Sequence, residues 1–248
     1  MRTICLIAAR MSSVRLPGKV LADLAGKPLL QHVVERVSQA KTLDGVVVAT
    51  GDLPANQPIV EFCQWQHWDY YHGSEDDVLS RFHWAALWRN AKVIVRVTGD
   101  CPLHSGEEID RVVRFFRQGH YEYAANCFPP RLPDGLDSEV IMMRALTAAN
   151  VEAVSKSDRE HVTPWLRCNL PHYLWGSADH EPDLSRYRLC VDTPADLEVM
   201  RRIMQIAGPD CTWRDAIKVL EEHPEIAALN QHLSRNASYI QQVKEEQG

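Results

Sequence analysis

The chain lacks the two commonest phosphate-binding signatures. Neither a GxxxxGK[ST] loop nor a GxGxxG turn occurs in its 248 residues, which argues against a P-loop NTPase and a dinucleotide-binding Rossmann enzyme. No run of eighteen apolar residues is present, so no segment reads as a membrane-spanning helix, and Arg10 interrupts the one apolar run near the N-terminus before it can serve as a signal. The seven cysteines are scattered, odd in number and free of any CxxC pair. That pattern excludes a disulfide framework and a cysteine-ligated zinc site, and it fits a reducing cytoplasm. Positive charge is not in excess: the formal net charge is −6, so nucleic acid is not the expected partner. Repeats and low-complexity stretches are missing too.

What is present is an ordinary globular composition, 45% hydrophobic and 24% charged, in alternating β-rich and amphipathic runs. Thr3–Ala9, Val46–Thr50, Asp69–His72, Lys92–Thr98 and Tyr187–Val191 read as strands. Helices are expected over Pro28–Ala40, Ala55–His67, Glu75–Arg89 and Gly106–Arg117, around Met142–Val154 and Asp158–Cys168, and from Thr193-Pro194. Alternation of this kind implies an α/β domain whose largely parallel sheet is covered on both faces. We divide the chain into a domain over 1–207 and a helical C-terminal extension over 208–248 (Trp213–Asn230 and Leu233–Glu246). The proline-rich segment Cys127–Gly135 must be an irregular loop.

Ligands of such sheets bind beyond the carboxyl ends of the strands. After the first strand comes AARMSSVRLPGK, Ala8 to Lys19, with Arg10, Arg15, Lys19, Ser12 and Ser13 on one loop. Cationic side chains and exposed backbone N–H groups there can hold a polyphosphate, and Pro17-Gly18 turns Lys19 back toward the same point. A solvated basic loop is the plain alternative. Asp100 and Asp192 each follow a strand, and two converging carboxylates offer hard oxygen ligands to Mg²⁺. Alternatively, Asp100 is a strand-end turn residue and Asp192 the N-cap of the helix at Pro194. Asp196 reads as a first-turn helix acid.

These residues carry a resemblance. The pattern ARxxSxRLPGK stands complete as Arg10, Ser13, Arg15, Leu16, Pro17, Gly18 and Lys19. It is similar to the cytidylyltransferases that make CMP-activated acidic sugars, in particular the spore coat polysaccharide biosynthesis protein F-like group related to CMP-Kdo and CMP-sialic acid synthetases. The likeness continues in order through GKPLLQHVVER, GSEDDVL, VTGDCPL, PDGLDSEV, REHVTP and VDTPADL. It implies a nucleotide-diphospho-sugar transferase fold, GT-A-like and Rossmann-type, with a mostly parallel mixed sheet in three layers. It also implies a catalytic role for Arg10, Arg15, Lys19 and Asp100, and a metal held by Asp100 and Asp192. The nucleotide would be met by Ala8, Ala9, Arg10, Ser12, Ser13, Lys19, Gly73, Ser74, Asp76, Thr98 and Gly99. For HGSEDDVL the match to the cytosine-contacting segment is imperfect, and Ser74 with Asp77 as a capping box is the structural alternative.

On the acceptor side, Asp134, Asp137 and Glu139 are candidates for hydrogen bonds to sugar hydroxyls, Arg131 and Arg159 for a carboxylate. His161 is a candidate for substrate contact, against a structural role, and Asp158-Arg159-Glu160 also reads as a charged helix start. The expected reaction is cytidylyl transfer from CTP to a sugar acid, for surface polysaccharide. The rival readings are a metal-dependent glycosyltransferase, disfavoured by the missing DxD triplet, and a non-catalytic homologue. The resemblance allows for a homodimer.

Overall fold

Along the strands, neighbouring side chains point to opposite faces, and here both faces are apolar. The first strand, β1 (Thr3–Ala9), buries Cys5, Ile7 and Ala9 in one core and Ile4 and Leu6 in another. A sheet apolar on both faces must be covered on both, which gives three layers. The computed structural model describes residues 1–247.

In chain order the strands after β1 are β2 (Asp23–Leu24), β3 (Lys27–Pro28), β4 (Gly45–Gly51), β5 (Asp69–Gly73), β6 (Val93–Thr98), β7 (Tyr123–Ala125), β8 (Glu139–Met142) and β9 (Trp175–Ser177). The helices are α1 (Leu29–Val37), α2 (Gln57–Trp65), α3 (Val78–Trp88), α4 (Gly106–Gln118), α5 (Met143–Glu152), α6 (Lys156–His161), α7 (Pro164–Cys168), α8 (Pro194–Ala207), α9 (Trp213–Glu222), α10 (Pro224–Ala227) and α11 (Ala237–Gln247). A seven-stranded sheet runs β5-β4-β1-β6-β8-β7-β9. β5, β4, β1 and β6 are parallel, β8 pairs antiparallel with both β6 and β7, and β7 and β9 are parallel. One core packs α1, α4, α8 and α9 on the sheet, and the other packs α3, α5 and α7. The fold is thus an α/β mixed sheet flanked by helices, as the strand pattern and the resemblance imply.

Several expectations need correction. Tyr187–Val191 is not a sheet strand. It runs past the sheet's end, where Leu189 N donates to Asp134 O (2.6 Å) and Val191 N donates to Asp100 O (2.8 Å). Its backbone is thereby stitched to two loops, and only one isolated bridge, Asp134 with Arg188, links it in ladder fashion. The helix expected from Glu75 starts at Val78, because Asp77 is its N-cap and accepts from Ser80 N. Ser74 acts one step earlier, accepting from Asp77 N at 3.1 Å. Strands β7, β8 and β9 are too short, at three or four residues each, to show a period in sequence.

Beyond residue 207 the chain is helical, as expected. α9 and α10 bury Trp213, Ile217, Leu220 and Ile226 in the first core. α11, by contrast, buries no residue. No helix among the described residues is long and apolar enough to cross a membrane.

Gly135 is the tightest point where the stitched segment passes a loop. Its φ is +112°, and a Cβ there would lie 2.7 Å from the Leu189 carbonyl carbon and 2.8 Å from Cys190 N. Both neighbours are backbone and cannot turn aside. Gly135→Ala should therefore lower stability by at least about 1–2 kcal/mol, the cost of the left-handed backbone alone, read as a lower urea midpoint with an unchanged slope.

Candidate active site

Beyond the carboxyl end of β1 lies a cavity of about 350 Å³, lined by Ala8, Ala9, Arg10, Ser13, Arg15 and Lys19 from the first loop. Its opposite walls include Thr98, Asp100, Asp134, Asp137, His161 and Asp192. The loop is held from behind. Gly18 N donates to Met11 O at 2.9 Å, closing it on itself. Met11 N donates to Asn56 Oδ1 (2.8 Å), and Asn56 Nδ2 donates to Glu75 Oε2 (2.6 Å). Ser12 Oγ donates to the other Glu75 oxygen. The buried Glu75 carboxylate thus ties the loops after β1, β4 and β5 together. Ser12 is consequently turned away from the cavity.

Four carboxylates and three cations meet on the other side of the loop. Lys19 Nζ lies 2.6 Å from Asp100 Oδ2 and 2.7 Å from Asp192 Oδ1. Arg15 reaches Asp192 Oδ2 at 3.1 Å, and Arg188 reaches the same oxygen at 2.8 Å. Arg188 also binds Asp134 (2.6 Å) and Asp196 (2.8 Å). Burial alone would lower the Lys19 pKa, yet Asp100 and Asp192 on either side hold it above the ordinary value. Burial likewise works to raise the Asp100 carboxyl, but Lys19 brings it down to about 2. Asp192 is free to take part because it is not the helix cap. Thr193 is the N-cap of α8, in a capping box with Asp196.

The acceptor-side residues divide. Asp134, Asp137 and His161 line the cavity. Burial, then Arg96, lower the His161 pKa from 6.5, leaving the ring neutral at pH 7. Its Nε2 faces Gln242 Oε1 at 3.1 Å. Glu139, however, is fully buried on β8, where Arg96 and Arg167 each bind it at 2.6 Å and Tyr123 and Thr163 donate to it. No lone pair is left to face a sugar. Arg159 points away as well: it binds Asp77 and the Asn150 carbonyl (2.7 Å), joining α3, α5 and α6. Arg131 forms an exposed pair with Glu181 at 2.8 Å and does not line the cavity. Gly73, Ser74, Asp76 and Gly99 also fall outside the lining, which instead takes Val78 and Arg81 from this region. Gly99 serves the backbone, since a Cβ there would meet Ala8 O at 2.7 Å.

Sequence reasoning missed four arginines. Arg81 is among the largest fully buried side chains and lines the cavity; its Nη1 donates to Ser74 O (2.8 Å), while its Nε has no partner. Burial lowers its pKa to about 10. The available signal was a charge on the apolar face of VLSRFHWAAL. Arg188 interrupts YRLCV in the same way, and Arg96 interrupts VIVRVT. Arg235, in the tail, carried no such signal.

Cations from one loop and paired acids lining one cavity suit a nucleoside triphosphate, and comparison with known proteins gives the family. The model of the cytidylyltransferase family matches residues 4–219. The chain belongs to the cytidylyltransferase family. It is 34% identical over 234 residues to the spore coat polysaccharide biosynthesis protein SpsF of Bacillus subtilis, covering 90% of this chain and 95% of that one. It is also 34% identical to the uncharacterized protein MJ1063 of Methanocaldococcus jannaschii, covering 96% of this chain and 98% of that one. A cytidylyltransferase structure from Leptospira borgpetersenii superposes with a TM-score of 0.87 at 30% identity, covering 95% of this chain and 100% of that one.

The buried pairing of Glu139 generates a prediction. Burial would raise its carboxyl, but Arg167 and Arg96 bring it from 4.5 down to about 2. A depressed folded-state pKa gives stability that is present above the unfolded value and lost as pH falls. The protein should therefore lose about 3 kcal/mol from this group between pH 4.5 and 2. Glu139→Gln should cost about 3–5 kcal/mol at pH 7 and flatten that part of the acid-unfolding profile.

Proposed function

We propose that this protein transfers a cytidylyl group from CTP to a hydroxyl of an acidic sugar of the 2-keto-3-deoxy class, releasing pyrophosphate. The observation that carries this reading is one cavity lined by Arg10, Arg15 and Lys19 together with Asp100 and Asp192, where Lys19 touches both acids and Arg15 touches Asp192. Two relatives support it by their names. One is the Bacillus subtilis protein of spore coat polysaccharide biosynthesis. The other is the 3-deoxy-manno-octulosonate cytidylyltransferase of Pelobacter propionicus, 38% identical over 117 residues, or 46% of this chain and 44% of that one. The product would then be a CMP-sugar for surface polysaccharide.

The acceptor oxygen attacks the α-phosphorus, the bond from that phosphorus to the bridging oxygen breaks, and the hydroxyl proton passes to water as pyrophosphate leaves. Direct displacement of this kind needs alignment and charge neutralisation rather than a protein nucleophile. Cys101 and Cys190 line the cavity, but burial pushes both thiols well above the ordinary value. They stay protonated and inert. Arg10, Arg15 and Lys19 neutralise the β- and γ-phosphates, while Ala8, Ala9, Ser13 and Thr98 border the nucleotide. Asp134, Asp137 and His161 receive the acceptor.

The metal for this chemistry is Mg²⁺. No cluster of three or more metal-binding side chains occurs among the described residues, and Mg²⁺ does not require one: one or two carboxylates with phosphate oxygens and waters suffice. Asp100 and Asp192 already share one cation, the Lys19 ammonium, so their spacing fits. When bound, the ion would neutralise charge at the α-phosphate.

Pyrophosphate release with CTP, Mg²⁺ and a panel of 2-keto-3-deoxy sugar acids tests this reading. Asp100→Asn should reduce release at least about 10²-fold while thermal unfolding stays cooperative. Undiminished release in that variant would sink the metal assignment. A GTP or UTP preference in thermal-shift profiling would overturn the cytidylyl part.

A further inference from the structure

Arg235 belongs to the tail, beyond residue 219 where the match to the family model ends. Even so, its side chain is only 16% exposed and sits directly behind the acceptor-side acids. Its Nη2 binds Asp137, its Nη1 donates to Leu132 O at 3.1 Å, and its Nε lies 3.8 Å from Asp134 Oδ1. Asp134 and Asp137 line the cavity, whereas Arg235 does not. The residues that follow, Asn236 to Tyr239, form the facing wall, with the Tyr239 ring edge-on to His161 at 5.2 Å between centroids.

We propose that the C-terminal segment Arg235–Tyr239 completes the acceptor half of the site, with Arg235 as the positioning residue that locks Asp134 and Asp137 toward the acceptor hydroxyls. The inference rests on the cytidylyl-transfer reading above. The geometry separates two roles. A guanidinium behind the carboxylates and outside the cavity lining acts through them, not on the substrate. Burial pushes both carboxyls up, and for each the Arg235 charge is the largest influence acting the other way. Without it, Asp134 would keep its ion pair with Arg188, but the part-buried Asp137 would have none. Leu132 O would also lose its donor, and the loop carrying both acids its tie to the tail.

The test is a double-mutant cycle in the full chain, assayed by pyrophosphate release with the acid from the panel that supports turnover. Arg235→Ala should raise the acceptor KM about tenfold, as expected for loss of a charged hydrogen bond, and leave the CTP KM within twofold. Arg235→Lys should recover part of that loss. In an Asp137→Asn background, Arg235→Ala should add less than about twofold, because residues acting through one another are not additive. Additive effects would show that Arg235 meets the substrate directly, and a shift in CTP KM would place it in the nucleotide half; either result overturns the proposal. So does an unchanged acceptor KM. Unaltered CTP KM and unfolding that stays cooperative control for folding. If no acid supports release from the wild type, the acceptor reading itself fails, an outcome distinct from normal turnover in Arg235→Ala.

Discussion

One cation between two carboxylates organises the site. Lys19 comes from the first crossover, Asp100 from the end of β6, and Asp192 from a segment that belongs to no sheet. Coulombic attraction across a few ångströms in a partly desolvated setting is strong; the Asp100 loop and the Asp192 segment also share one backbone hydrogen bond, Val191 N to Asp100 O (2.8 Å), while Lys19 meets both through its side chain. The surrounding arrangement follows from it. The stitched segment 187–191 must pass close to the loops at Asp100 and Asp134 so that Asp192 can reach Lys19, and Gly135 is small because that segment crosses it. Arg188 then binds Asp134, Asp192 and Asp196 together, so the start of α8 is anchored by the same charge network. Any ligand that takes Lys19 must supply charge in return.

Much of this was legible in the sequence. β1, β4 and β6 declared themselves because a buried parallel strand needs apolar residues on both faces, and runs such as VVVAT have few other uses. The loop from Ala8 to Lys19 stood out for its density of cations at a strand end, Asp100 for following a strand, and Asp192 for following a run that reads as a strand but lies outside the sheet. Sequence order alone, with several motifs in series, marked the family.

What was not legible shares a physical cause. Glu139, Arg159 and Arg131 have side chains suited to binding a sugar acid, but function depends on direction, and direction is set by pairing with residues distant in sequence. Glu139 faces the interior because β8 is antiparallel to β6 and brings Arg96 opposite it in register. A three-residue strand carries too few positions for its period to be read, so β7 and β9 were invisible. Helix starts moved by a residue or more wherever two candidate caps lay close together, as at Ser74 and Asp77. Arg235 was hidden for a different reason. A lone arginine in LSRNAS has no pattern at all, and its importance arises only where the chain returns to the loop at Leu132.

The network behind the first loop has a thermodynamic consequence. Glu75 and Asn56 hold the chain at Met11 and Ser12 from the side away from the cavity, and Gly18 N closes the loop on Met11 O. Ordering a free backbone residue costs about 1–2 kcal/mol, so a floppy loop of this length would drain most of the affinity that its three cations provide. Here that ordering is accomplished during folding. On the proposed reaction a triphosphate would meet a loop anchored in advance, and its binding entropy should reflect lost water and counterions more than lost chain freedom.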